Sequence, residues 1–317
     1  MSALAERAGA LLGAKHTTYV VALVTPTGAE VDAVGTGVHA DVELGSVSKG
    51  ITGLLWRDAV GRGDVTEGAV LGDHLDVPSR LAGIRLSALA THSSGLPRLG
   101  GSDVVRRTWE LWRGGRNPYR EDLPALLAQL EDVKVGKAKP AYSNLGFQLL
   151  GHAVAAATGA SYADLVAERV AGPLGLVDTY VPTSADEVRP GAVPPRNRTG
   201  REVEAWANEA VAPAGGVRSS AADLAVLLRA LLDGTVAGAD ALEPVARFVG
   251  KQRIGAGWLS GPLLRRTVTW HNGGTGGFRS FVGIDRDHGV GVALVSASTR
   301  SVDGAAARLL AEAGDAA

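Results

Sequence analysis

Strand-like sequence sits toward the two ends of this chain, and helical sequence fills the middle. Residues 17–25 (TTYVVALVT) form a β-branched run closed by Pro26 and Gly28, while residues 257–259, 268–271, 278–284 and 289–296 are strand-like runs parted by Gly, Asp and Asn. Leu4, Ala8, Leu11 and Leu12 recur at helical spacing before the first run, and residues 304–313 return to helix after the last. Strands so far apart in the chain can bury their faces together by pairing in one sheet, with the terminal helices laid against it. The expected fold is therefore α/β in the α+β sense: an antiparallel sheet flanked by N- and C-terminal helices, with a helical lobe inserted between its halves.

Residues 29–39 mix apolar residues with Gly and polar ones and suit the second arm of a hairpin. A helix is expected over 46–60 through Ile51, Leu54, Leu55 and Trp56. Beyond it the helical patterns are short and broken by Pro, Gly and Asn, with the best periodicity at 123–130 and 147–157. The division expected is a sheet lobe of residues 1–62 and 209–317 and a mostly helical lobe of 63–208, with a pocket at their junction.

Composition narrows the chemistry. The 317 residues include no cysteine, which excludes disulfides, thiolate nucleophiles and Cys-ligated metal or iron–sulfur centres. Lys plus Arg number 32 against 33 Asp plus Glu, so no basic field exists to hold a polyanion, and nucleic acid is not an expected partner. Glu6, Arg7, Lys15 and His16 interrupt the N-terminal apolar residues, so neither a signal-peptide core nor a membrane span is expected. The chain as written reads as cytoplasmic, or as secreted if it is a processed form. The seven His show no metal-ligand spacing, and no phosphate loop or Gly-x-Ser-x-Gly elbow occurs; no cofactor or metal is expected.

Three short constellations carry potential chemistry. Ser46-Val47-Ser48-Lys49 lies where strand-like sequence gives way to helix, and a three-residue step brings the hydroxyl and the amine onto one face. A desolvated lysine near a helix start can shed its proton and activate an alcohol; the plainer alternative is a serine cap and a solvated lysine. Tyr142-Ser143-Asn144 precedes an apolar helix, where a phenol can serve as base and an amide can orient a substrate carbonyl. Five Tyr and five Asn predict about 0.08 Tyr-x-Asn by chance, against about 0.3 for Ser-x-x-Lys, so the tyrosine element is the more selective. His271-Asn272-Gly273-Gly274 follows a strand-like run, and its glycines let a substrate approach a strand backbone whose N–H can hold an oxyanion. A hairpin turn with a surface histidine is the alternative there.

Taken in order, these elements resemble the signatures of the serine β-lactamase and penicillin-binding-protein-like hydrolases. They are most similar to the branch with class C β-lactamases, D-alanyl-D-alanine carboxypeptidases, D-aminopeptidases and β-lactamase-fold esterases. Residues 89–97 (LATHSSGLP), 142–151, 213–216 (PAGG) and 270–278 look like segments of the same superfamily, and the likeness covers roughly residues 17–300.

The resemblance implies a β-lactamase/transpeptidase-like fold and a roster of roles. Ser46 would be the acylated nucleophile, Lys49 its proton-transfer partner and Tyr142 the general base. Asn144 would steady the substrate amide, the N–H groups of Ser46 and Gly274 would form an oxyanion hole, and His271 and Gly273 would complete the substrate strand. Many β-lactamases carry Lys where this chain has His271, so selection for a substrate carboxylate at that position would be weakened. Activity would follow His271 ionisation between about pH 5 and 8. The implied function is hydrolysis of a small ester or amide through an acyl-enzyme. A β-lactamase proper, an acyltransferase and a non-catalytic β-lactam-binding sensor are the alternatives. Trp109, Trp112 and Tyr119 could line an acyl pocket, though Trp109 and Trp112 stand at helical spacing and suit a helix core equally.

Overall fold

The computed structural model describes residues 2–100 and 116–317; Trp109 and Trp112 lie outside the described residues. Eight strands form one antiparallel sheet in the order β2-β1-β10-β9-β8-β7-β6-β5. They are β1 (Tyr19–Thr25), β2 (Gly28–Val34), β5 (Ala246–Arg247), β6 (Arg253–Ile254), β7 (Leu259–Leu263), β8 (Arg266–Gly274), β9 (Arg279–Asp285) and β10 (Val290–Ser296). A separate two-stranded ladder joins β3 (Val42–Glu43) to β4 (Arg218–Ser219). Five helices of ten residues or more occur among the described residues: α1 (Ala3–Leu12), α2 (Ser48–Arg62), α3 (Asn144–Thr158), α4 (Ala221–Asp233) and α5 (Asp303–Ala316).

The sheet is assembled from the two ends of the chain because β1 lies between its hairpin partner β2 and the distant β10, with Tyr19 opposite Ser296 and Val24 opposite Gly291. Both faces of β1 are covered, which is why its sequence is continuously apolar rather than alternating. Tyr19, Val21 and Leu23 pack with Leu4, Ala8, Leu309 and Leu310 of the terminal helices. Val20, Ala22 and Val24 belong instead to the larger core that contains Leu54, Phe147 and Leu228.

Two expectations shift. The strand expected at 257–259 begins instead at Leu259, because Gly257 takes a left-handed φ of 76° that breaks the extended run. Helix α4 was absent from the sequence reading although its signals are plain: Ser220 accepts a hydrogen bond from the Asp223 amide, and Leu224, Leu227, Leu228 and Leu231 form a buried stripe. No helix among the described residues is long and apolar enough to cross a membrane.

Candidate active site

Ser46 is held in a tight turn rather than on a helix proper. Gly45–Val47 forms one 3₁₀ turn and α2 starts at Ser48. The turn hangs from β3, whose partner β4 is fixed by the buried Arg218 side chain. That guanidinium donates to Asp41 at 2.6 Å and to Glu43 at 3.2 Å, and Glu43 also accepts the Trp206 amide at 3.0 Å. On its other side the turn meets the end of β8. A Cβ on Gly273 would fall 2.2 Å from the Leu44 carbonyl oxygen and 2.9 Å from the Ser46 nitrogen. Only a residue without a side chain lets the strand edge lie this close to the serine.

Lys49, on the first turn of α2, is 0% exposed. Its Nζ donates to Ser46 Oγ at 3.0 Å and to the Ala214 carbonyl at 2.6 Å. Burial, and secondarily the Arg98 charge, hold its pKa well below 10.5. The solvated-lysine alternative is thus excluded. Its Nζ lies 5.0 Å from the Tyr142 ring centroid. Burial pushes the Tyr142 phenol up to about 12, a shift that a hydrogen bond with Ser46 and the Arg98 charge partly oppose.

The Tyr142 segment is set by a histidine the sequence reading passed over. His92 takes a left-handed φ of 53°; its carbonyl accepts from the Ala141 amide at 2.8 Å and its Nδ1 from the Ser143 amide at 3.1 Å. Burial, chiefly, holds its pKa well below 6.5, and the Ser143 amide donating to Nδ1 makes that nitrogen the acceptor of the neutral ring. Its ring stands 4.4 Å from that of Tyr142. The run 89–97 contained this residue, yet nothing in one sequence separates a histidine that braces a loop from a solvated one.

Asn144 begins α3. Ser143 caps the helix, accepting from the Gly146 amide at 2.9 Å and donating to the Pro97 carbonyl at 2.6 Å. The Asn144 amide donates to the Tyr119 hydroxyl at 2.6 Å, and its buried Oδ1 has no hydrogen-bond partner. His271 is 2% exposed, its ring centroid 6.3 Å from that of Tyr142 and its Nδ1 2.7 Å from the Asn272 carbonyl oxygen. Burial lowers its pKa to about 3. This corrects the expected titration between about pH 5 and 8: desolvation keeps the imidazole neutral across that window.

A cleft opens over these groups, lined by Ser46, Arg98, Tyr119, Asn144, Trp206 and Gly274 together with Leu99, Pro118, Val211 and Ala214. Arg98 and Trp206 were not anticipated, since residues lining one cleft need share no spacing in the chain. Tyr119 and Trp206 meet edge to face at 4.9 Å.

A family model described as Beta-lactamase matches residues 5–315. The chain is 37% identical over 106 residues to "D-alanyl-D-alanine-carboxypeptidase/endopeptidase AmpH" of Escherichia coli K12, covering 33% of this chain and 26% of that protein. It is 36% identical over 153 residues to "Putative beta-lactamase-like 1" of Homo sapiens, covering 48% of this chain and 29% of the human protein. These stretches are well under half of the relatives' own lengths. A solved class C beta-lactamase superposes with a TM-score of 0.79 at 17% identity, covering 93% of this chain and 91% of the other, a likeness of fold.

Proposed function

Starting from the fact that the chain belongs to the beta-lactamase family of serine hydrolases, we propose that it cleaves a small ester or amide through an acyl-enzyme at Ser46. The observation that carries this reading is the 3.0 Å hydrogen bond between Ser46 Oγ and a fully buried Lys49 amine. Burial works against the charged form of this amine, and an uncharged amine at that distance can take the hydroxyl proton. Tyr142, held protonated by the same desolvation, is then better suited to relay a proton to the leaving group than to start the attack as a phenolate. This reverses the roles first given to the two residues.

In the acylation step the Ser46 oxygen bonds to the substrate carbonyl carbon and its proton passes to Lys49. The negative oxygen is met by the N–H groups of Ser46 and Gly274, which the glycines of β8 bring side by side. Collapse breaks the bond to the leaving group, which takes a proton by way of Tyr142. Water then attacks the ester by the same route in reverse and frees Ser46. The acyl group lies along Leu99, Tyr119, Trp206 and Val211, and the unpartnered Asn144 Oδ1 would accept from a substrate N–H.

In this reading Lys49 from residues 1–62, Tyr142 and Asn144 from 63–208, and Gly274 from 209–317 meet where the sheet lobe and the helical lobe join. The carboxypeptidase name of the E. coli relative makes D-alanyl amides worth testing first. Incubation with an activated ester or a β-lactam, followed by intact-mass and peptide mass spectrometry, should show one acyl adduct on Ser46. The adduct should be absent from Ser46→Ala; no adduct with any acyl donor, or one on another residue, refutes the proposal.

A further inference from the structure

The cleft contains a cation that takes no part in the proton transfers of the catalytic scheme. Among the described residues that line it, Arg98 is the one with a charged side chain. The guanidinium carbon stands 5.2 Å from the Tyr142 ring centroid, and no carboxylate among the described residues forms an ion pair with it. Its main chain is fixed: the Arg98 carbonyl accepts from the Asn144 amide at 3.0 Å and from the Leu145 amide at 3.3 Å, tying it to the first turn of α3. The side chain is exposed, so the charge is hydrated and ready to meet an anion. Lys49 and His271 cannot do this, since both are buried and desolvation works against their charged forms.

We propose that Arg98 is the specificity-determining residue of this site and selects acyl donors that carry a carboxylate on the acyl portion. The inference rests on the reading of Ser46 as the acylated residue. It follows from Arg98 lining the same cleft as Leu99, Tyr119, Trp206 and Val211, along which the acyl group is placed. A planar guanidinium pairs with a carboxylate through two parallel N–H···O bonds, which fixes orientation as well as charge. Arg98 would thereby supply a charged contact to a carboxylate that a neutral His271 does not.

The test compares three activated esters: the 4-nitrophenyl monoester of adipic acid, its neutral methyl ester, and an ester whose carboxylate sits on the leaving phenol. The wild type should prefer the first over the second by roughly tenfold in kcat/KM at low salt, with most of the difference in KM, and the preference should shrink as salt screens the exposed pair. Arg98→Gln should bring the ratio near one, and Arg98→Lys should restore part of it. A ratio unchanged in Arg98→Gln, no preference in the wild type, or a preference confined to the leaving-group acid overturns the proposal. Binding of free adipate to Ser46→Ala, followed by calorimetry with and without Arg98→Gln, reads anion recognition without acylation. Loss of the Ser46 adduct with retained Arg98-dependent binding would fault the catalytic reading alone, and an adduct without any Arg98 dependence would fault this one alone.

Discussion

Replacing Arg218 with methionine should cost this protein more than any change of comparable size at the surface. Arg218 is 1% exposed and bridges Asp41 at 2.6 Å and Glu43 at 3.2 Å. Each contact represents a gross attraction of about 4 kcal/mol or more at an effective dielectric near 20, and desolvation cancels much of it. Methionine fills similar volume but strands two carboxylates, and stranding buried charge costs about 3–5 kcal/mol. At about 2 °C per kcal/mol for a chain of this size, Tm should fall by roughly 6–10 °C.

The deficit should also depend on pH. Burial raises the Glu43 pKa, and Arg218 is foremost among the influences that lower it. In Arg218→Met the folded pKa therefore rises further above its unfolded value. A group so raised contributes stability that is present below its unfolded pKa and lost as pH rises through the folded one. The variant should thus approach the wild type as pH falls toward about 5 and separate from it near pH 8. Adding Glu43→Gln should recover part of the loss by removing one stranded charge. Calorimetric unfolding at both pH values is the assay. A deficit below about 1 kcal/mol, or one that does not change with pH, would refute the reasoning. Because Glu43 lies just before the Ser46 turn, Arg218→Met should also slow acylation at temperatures where it remains folded.

Gly273→Ala places a methyl group 2.2 Å from the Leu44 carbonyl oxygen, so it should abolish adduct formation at Ser46 and cost several kcal/mol in denaturant unfolding; a well-folded, active variant would contradict the close packing. The acid side of the acylation profile should fall as Lys49 gains a proton, since its pKa lies well below 10.5 and only the free amine can accept from Ser46. His271→Gln should leave the shape of the profile between about pH 5 and 8 unaltered, whatever it does to the amplitude, and a limb that vanishes in this variant would show that His271 titrates there. Ser143→Ala removes the cap of α3 and its bond to Pro97, and chemical unfolding should register a loss of about 1–2 kcal/mol.

Much of the candidate site was legible because its parts are local. Ser46 and Lys49 are one turn apart, Tyr142 and Asn144 flank a cap, and the glycines after His271 stand together on one strand end, so spacing alone brings each set into a common direction. The terminal helices and the strands β8, β9 and β10 were legible for the same reason, since apolar periodicity is a property of a few neighbouring residues. Helix α4 carried equally local signals and went unread.

The chain alone determined which reactive groups exist and that no thiol is among them, for these are matters of composition and short spacing. Only the tertiary structure decided their ionisation. The Lys49 pKa is lowered, Tyr142 keeps its proton and His271 stays neutral because packing from distant segments removes water from all three, and desolvation depends on what surrounds a group rather than on its sequence neighbours. The placing of His92 and of Arg98 beside the Tyr142 ring was likewise set by the folding of separate segments onto one another, which no single stretch of sequence encodes.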